Sequence, residues 1–188
     1  MDAFLISTGF VALAEIGDKT QLLSLVLAAR YRRPWPIIAG ILLATLLNHA
    51  LAGALGAWIT STVSPHTLRW VVGLTFIVMA LWILVPDQLG KDDDASRNGS
   101  RHGLFGLTLM IFFMAEMGDK TQIATIALAA KFSAFGAVVA GTTLGMMIAN
   151  VPVVLLGHRV ADRLPLRAVR WGTMALFAAL GVVALVGA

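Results

Sequence analysis

Six apolar runs, each close to the length that crosses a lipid bilayer, divide the chain at roughly 4–29, 36–59, 68–86, 103–130, 134–157 and 168–187. A hydrocarbon core roughly 30 Å thick takes about 20 helical residues to cross, and only helices or closed barrels satisfy their backbone polar groups there. Hydrophobic residues make up 59% of the 188 and charged residues 13%, too little polar surface for a soluble domain of this size. The expectation is an all-α integral membrane protein with six transmembrane helices. Trp35 and Trp58 bracket the second run, and Trp70 and Trp171 open the third and sixth, at depths where indole rings favour the membrane–water interface. The start, MDAFLISTGF, has an acidic residue and no basic one, unlike a cleaved signal peptide. There is no cysteine, which removes disulfides and thiolate metal sites.

A second feature narrows the plan. Shifting the chain by 101 residues lays Glu15 on Glu116, Gly17 on Gly118 and Asp18-Lys19-Thr20-Gln21 on Asp119-Lys120-Thr121-Gln122. Without a gap, the same shift pairs Gly40 with Gly141, Gly56 with Gly157, Arg69-Trp70 with Arg170-Trp171 and Phe76 with Phe177. One offset serving three consecutive spans marks an internal duplication. The units are 1–86 and 103–188, each a three-helix repeat, joined by a polar cytoplasmic linker at 87–102 that contains DDD and NGS. Three is odd, so the second copy enters the bilayer from the opposite side. Inverted repeats of this kind recur in secondary transporters, whose binding sites lie near the midplane where the copies meet.

Basic residues set the expected orientation. The connections after the first, third and fifth runs carry Arg30, Arg32, Arg33, Lys91, Arg97, Arg101, Arg159, Arg163, Arg167 and Arg170, whereas the opposite side carries only Arg69 and Lys131. The richer side is cytoplasmic by the positive-inside rule, with both termini outside the cytoplasm. The net charge of +4 is thereby accounted for, and no nucleic-acid partner is expected.

The charged residues inside the runs carry the chemistry. Glu15 is about the twelfth residue of its run, close to the bilayer centre. An ionised group there costs on the order of 2.5–3.5 kcal/mol on insertion scales. Glu15, Asp18, Lys19, Glu116, Asp119 and Lys120 are six such groups, and they should face a polar interior. On a continuous helix, Glu15, Asp18 and Lys19 share one face, and Gly17 and Gly118 allow a kink or a close approach of the facing helix. Convergence of the two motifs would bring together Glu15, Asp18, Glu116 and Asp119, an oxygen set suited to hard divalent cations such as Ca²⁺ or Mn²⁺. Four carboxylates and two ammonium groups sum to −2, which either one divalent cation or two protons would neutralise. That is the charge requirement of a metal/proton antiporter. The alternative is that Glu15–Lys19 and Glu116–Lys120 simply neutralise each other as i,i+4 pairs, which leaves both aspartates without a role.

Secondary candidates are Gln21, Gln122, Thr20 and Thr121 as neutral oxygens, with Lys19 and Lys120 as partners of the carboxylates. His49 and Asn150, equivalent under the shift, are either ligands or hydrogen-bonded packing residues. Met114, Met117, Met146 and Met147 read as packing, and the small residues of GTTLG at 141–145 as close helix contacts.

Two E-x-G-D-K-T motifs, each heading a three-helix half of a chain this long, resemble the Golgi-type Ca²⁺/Mn²⁺:H⁺ antiporter family, which includes bacterial manganese exporters. The resemblance implies that Glu15, Asp18, Glu116 and Asp119 bind the transported cation and take part in proton exchange. It also implies Mn²⁺ export from the cytoplasm across a bacterial inner membrane, with Ca²⁺ as a second substrate. Metal ions and protons are then cargo, no bound cofactor is expected, and a homo-oligomer is compatible with the sequence. Two other readings stay open on the residues alone: a six-span exporter of another substrate such as an amino acid, and an intramembrane metalloenzyme. The near-identity of the two motifs argues against the enzyme.

Overall fold

The structure, a computed structural model, describes residues 1–82, 101–156 and 166–186. The described residues are helical throughout, in the order α1 (Asp2–Glu15), α2 (Lys19–Tyr31), α3 (Pro34–Thr62), α4 (Pro65–Trp82), α5 (Arg101–Glu116), α6 (Lys120–Phe132), α7 (Phe135–Leu156) and α8 (Leu166–Val186). By length and apolar composition, α3 and α7 are each able to cross a membrane. The basic residues Lys91, Arg97, Arg159 and Arg163 lie outside the described residues, as does the expected linker up to residue 100. Its last two residues, Arg101 and His102, already belong to α5.

The expected first and fourth spans are not continuous helices. Each is broken inside the charged motif, into α1 and α2 and into α5 and α6. The break is local chemistry. Ile16 is extended (φ −67°, ψ 115°), Gly17 has φ 81°, and the Asp18 amide bonds the Glu15 carbonyl at 3.1 Å. These are the features of a type II turn, whose third residue needs a positive φ that glycine reaches without a side-chain clash. Gly118 repeats it with φ 77°, and the Asp119 amide bonds the Glu116 carbonyl at 3.0 Å. The glutamines brace the turns: Gly17 N donates to Gln21 Oε1 at 2.8 Å, and Gly118 N to Gln122 Oε1 at 2.6 Å. Asp18 and Asp119 then stand as N-caps of α2 and α6 with near-identical backbones (φ −79°, ψ 168° and φ −79°, ψ 167°).

The 101-residue offset also holds at the far ends of these short helices. Arg32 (φ 52°) closes α2 and Ser133 (φ 48°) closes α6, each in the left-handed conformation. Their amides bond Ala28 and Ala129 carbonyls at 3.0 Å. Pro34 then starts α3, where a fixed φ and a missing N–H cost nothing.

Packing crosses between the halves. α1 lies along α7 and α3 along α5, while α3 also meets α6, and α7 also meets α2. Small residues set these approaches. A methyl added to Gly141 would stand 2.6 Å from the Phe4 carbonyl, and one on Gly145 2.6 Å from the Thr8 carbonyl. At Gly40 it would meet Thr108 Cβ at 2.7 Å, so the reading of GTTLG as close helix packing holds. One apolar cluster joins Phe10, Val11, Phe76, Leu128 and Met146, with the Phe10 and Phe76 rings edge-to-face at 5.7 Å. A second joins Leu27, Ile37, Ile41, Leu104 and Phe112. Trp35, Trp58, Trp70 and Trp171 are exposed, as interfacial rings would be, and so are Met114 and Met117. Met146 is buried in the first cluster, and Met147 packs partly buried against the second.

Gly145→Ala is expected to lower stability by about 1–3 kcal/mol, because nothing opposite can yield but backbone. Gly9→Ala, whose methyl meets nothing within 4 Å, is expected to be neutral or to stabilise by up to about 1 kcal/mol through helix propensity. Equilibrium unfolding in detergent checks the pair, and equal effects would contradict the packing.

Candidate metal centre

The two broken helices place their interruptions against each other. Glu15, Asp18 and Asp119 are buried, and one carboxylate oxygen from each lies within 4.8 Å of the others. Oxygens that share a cation with bonds of about 2.3–2.6 Å stand at most about 5 Å apart, so this spacing fits one ion. Both halves contribute, through the end of α1 and the caps of α2 and α6.

Glu116, the fourth expected ligand, is buried but lies outside this three-residue cluster. Its Oε1 accepts a bond from Thr45 of α3 at 3.0 Å. Glu15 is held within its own motif instead, where Thr20 Oγ1 donates to Oε2 at 2.5 Å. The difference has a source in the sequence: the position equivalent to Thr45 is Met146, which offers no hydroxyl. Each of three carboxylates nevertheless keeps an oxygen that is buried and has no hydrogen-bond partner: Glu15 Oε1, Glu116 Oε2 and Asp119 Oδ2. Buried polar atoms are almost always satisfied, and carboxylate oxygens such as these are atoms that a cation or a proton could satisfy.

The lysines form ion pairs across the two halves. Because the turn separates Glu15 from Lys19, the i,i+4 geometry expected of a continuous helix does not exist. Lys19 Nζ instead lies 2.9 Å from Asp119 Oδ1, and Lys120 Nζ lies 2.9 Å from Asp18 Oδ1. Moving both partners of either pair by 101 residues gives the other pair. The charges are thus neutralised across the halves.

The secondary candidates divide. Thr20 touches the site through Glu15. Thr121, two residues after Asp119, is buried. Gln21 and Gln122 spend their oxygens on the turns, and Gln21 Nε2 bonds the Ala149 carbonyl at 3.1 Å. Asn150 is buried and hydrogen-bonded: its oxygen accepts from Ser24 at 2.6 Å and its amide donates to the Met146 carbonyl at 3.1 Å. His49 is 1% exposed, with neither ring nitrogen bonded, and it does not join the carboxylate cluster. Thr45 and Asn48 were not expected at the site. Asn48 Nδ2 bonds the Phe113 carbonyl at 3.0 Å, fixing α3 against the last turn of α5. Their polarity inside an apolar helix was the signal that could have found them.

The family model described as "Divalent cation/proton antiporter GDT1" matches residues 3–91 and 104–188. The chain belongs to the GDT1 family of divalent cation/proton antiporters. A Vibrio cholerae protein named "Putative manganese exporter" is 54% identical over 178 residues, covering 94% of this chain and 87% of its own. A GDT1-like protein of Synechocystis is 31% identical over 182 residues, 87% of each chain. "GDT1-like protein 5" of Arabidopsis thaliana is 27% identical over 217 residues, 97% of this chain and 94% of its own. No solved structure matches the chain. Membership identifies a transporter, and it agrees with the antiport expected from the doubled motif.

Asp18→Asn alone removes the charge that compensates the buried Lys120 ammonium and is expected to cost about 3–5 kcal/mol, whereas Asp18→Asn with Lys120→Met is expected to recover most of it. A double-mutant cycle on unfolding in detergent measures the coupling. Strictly additive losses would mean that the ion pair does not form.

Proposed function

We propose that this GDT1-family protein exports Mn²⁺ from the cytoplasm in exchange for protons, with Ca²⁺ as a second substrate, at a midplane site shared by two inverted three-helix repeats. In this reading each broken helix pair, α1–α2 and α5–α6, counts as one span, giving six spans with both termini outside the cytoplasm of a bacterial inner membrane. Glu15, Asp18 and Asp119 hold the ion, and Glu116 joins them or carries a proton.

The observation that carries the proposal is the meeting of carboxylate oxygens from both halves within 4.8 Å, at residues where Glu15 Oε1 and Asp119 Oδ2 are buried without a hydrogen-bond partner. Two kinds of support stand behind it. The hard-oxygen donor set with no thiolate suits Mn²⁺ and Ca²⁺ over softer metals. Broken helices at the centre of duplicated halves are a known way to present helix ends and freed carbonyls to an ion inside a membrane. Coupling follows from charge: four carboxylates against two ammonium groups leave −2, so a site that releases M²⁺ is restored by two protons with the same buried charge. The Mn²⁺ assignment draws on the name of the Vibrio cholerae relative.

Reconstituted in proteoliposomes with an imposed pH gradient, the wild type is expected to move Mn²⁺ against protons. Asp18→Asn and Asp119→Asn are each expected to reduce the flux at least about tenfold, the smallest loss usual even for residues that only support a metal's ligands. Flux that ignores the pH gradient, or survives both substitutions, overturns the proposal.

A further inference from the structure

Lys19 and Lys120 are the charged members of the motif that a cation site does not explain, since an ammonium group repels the ion the carboxylates are there to bind. Their placement supplies a role. Each is within 2.9 Å of a carboxylate oxygen belonging to the opposite half, Lys19 on Asp119 Oδ1 and Lys120 on Asp18 Oδ1. Both aspartates belong to the three-carboxylate cluster. The ammonium groups and a divalent ion therefore draw on the same carboxylates.

We propose that Lys19 and Lys120 are internal stand-ins for the transported cation, holding the two aspartates when no metal is bound and being displaced when it binds. The inference rests on the cation site proposed above. The two ammonium groups shift within the bundle and do not leave it, so the −2 left by four carboxylates and two ammonium groups is still met by one M²⁺. The ion meets Asp119 first through Oδ2, which is buried without a partner, and Oδ1 follows as Lys19 withdraws. Lys19 has room to do so, with 28% of its side chain exposed, whereas the Lys120 side chain is 4% exposed and needs helix movement. Because each pair ties one half to the other, metal entry loosens the joint on which the halves move. The lysines are thus affinity-setting residues: competition with them keeps metal binding weak enough for release.

The test is the Mn²⁺ dissociation constant of the full-length protein in detergent at fixed pH, measured by electron paramagnetic resonance of free Mn²⁺. Lys19→Gln and Lys120→Gln remove a competitor and are expected to tighten Mn²⁺ binding by about fivefold or more, within the usual range of coupling between sites. Lys19→Arg and Lys120→Arg keep the competing charge and are expected to bind Mn²⁺ no more tightly than wild type. If the buried Lys120→Gln fails to fold, Lys19→Gln carries the test. A purely structural role would lower stability without tightening binding. Unchanged or weaker binding by a folded Gln variant, or tightening by the Arg variants, overturns the inference. A wild type that binds no Mn²⁺, or Asp18→Asn and Asp119→Asn variants that bind it normally, overturns the cation site instead.

Discussion

Charge buried in an apolar bundle has to be compensated within the bundle, and here the compensation comes from the other half of the chain. Lys19 meets Asp119 and Lys120 meets Asp18, so neither half can keep its own charges paired if it moves away. Breaking such a pair from one side costs about 3–5 kcal/mol, comparable with the whole stability of many domains. The close approaches at Gly40, Gly141 and Gly145 serve the same end, because they let α1 and α5 sit deep against α7 and α3 and bring the motifs together. Packing and electrostatics are therefore a single constraint in this protein.

Much of this was readable in the residues, and the misses have definite causes. The doubled motif, the 101-residue offset and the role of the small residues come from patterns that survive any local geometry. The apolar run passes straight through the motif, so hydropathy does not show the break in the helix. The Gly-Asp in E-x-G-D does spell it, as a turn followed by a helix cap. Once the helix is broken, the one-face argument for Glu15, Asp18 and Lys19 lapses, and with it the i,i+4 pairs. The cross-pairing of the lysines was out of reach because it depends on how two segments 101 residues apart dock. So was the separation of Glu116 from the other three carboxylates, which turns on Thr45 standing where the other half has Met146.

The two halves are alike in backbone yet unequal in setting. The turns, caps and ion pairs repeat within a few degrees or tenths of an ångström, while Glu15 and Glu116 answer to different hydroxyls and Lys19 is more open than Lys120. His49, buried with two unbonded nitrogens where the other half has Asn150, is a further inequality.

The most direct measurement is the position of Mn²⁺ itself, by anomalous scattering from crystals of the full-length protein grown with the ion. The account predicts one strong peak within about 2.0–2.6 Å of carboxylate oxygens from both halves, among Glu15, Asp18 and Asp119. A peak whose ligands all come from one half, or one that lies away from these three side chains, would contradict it.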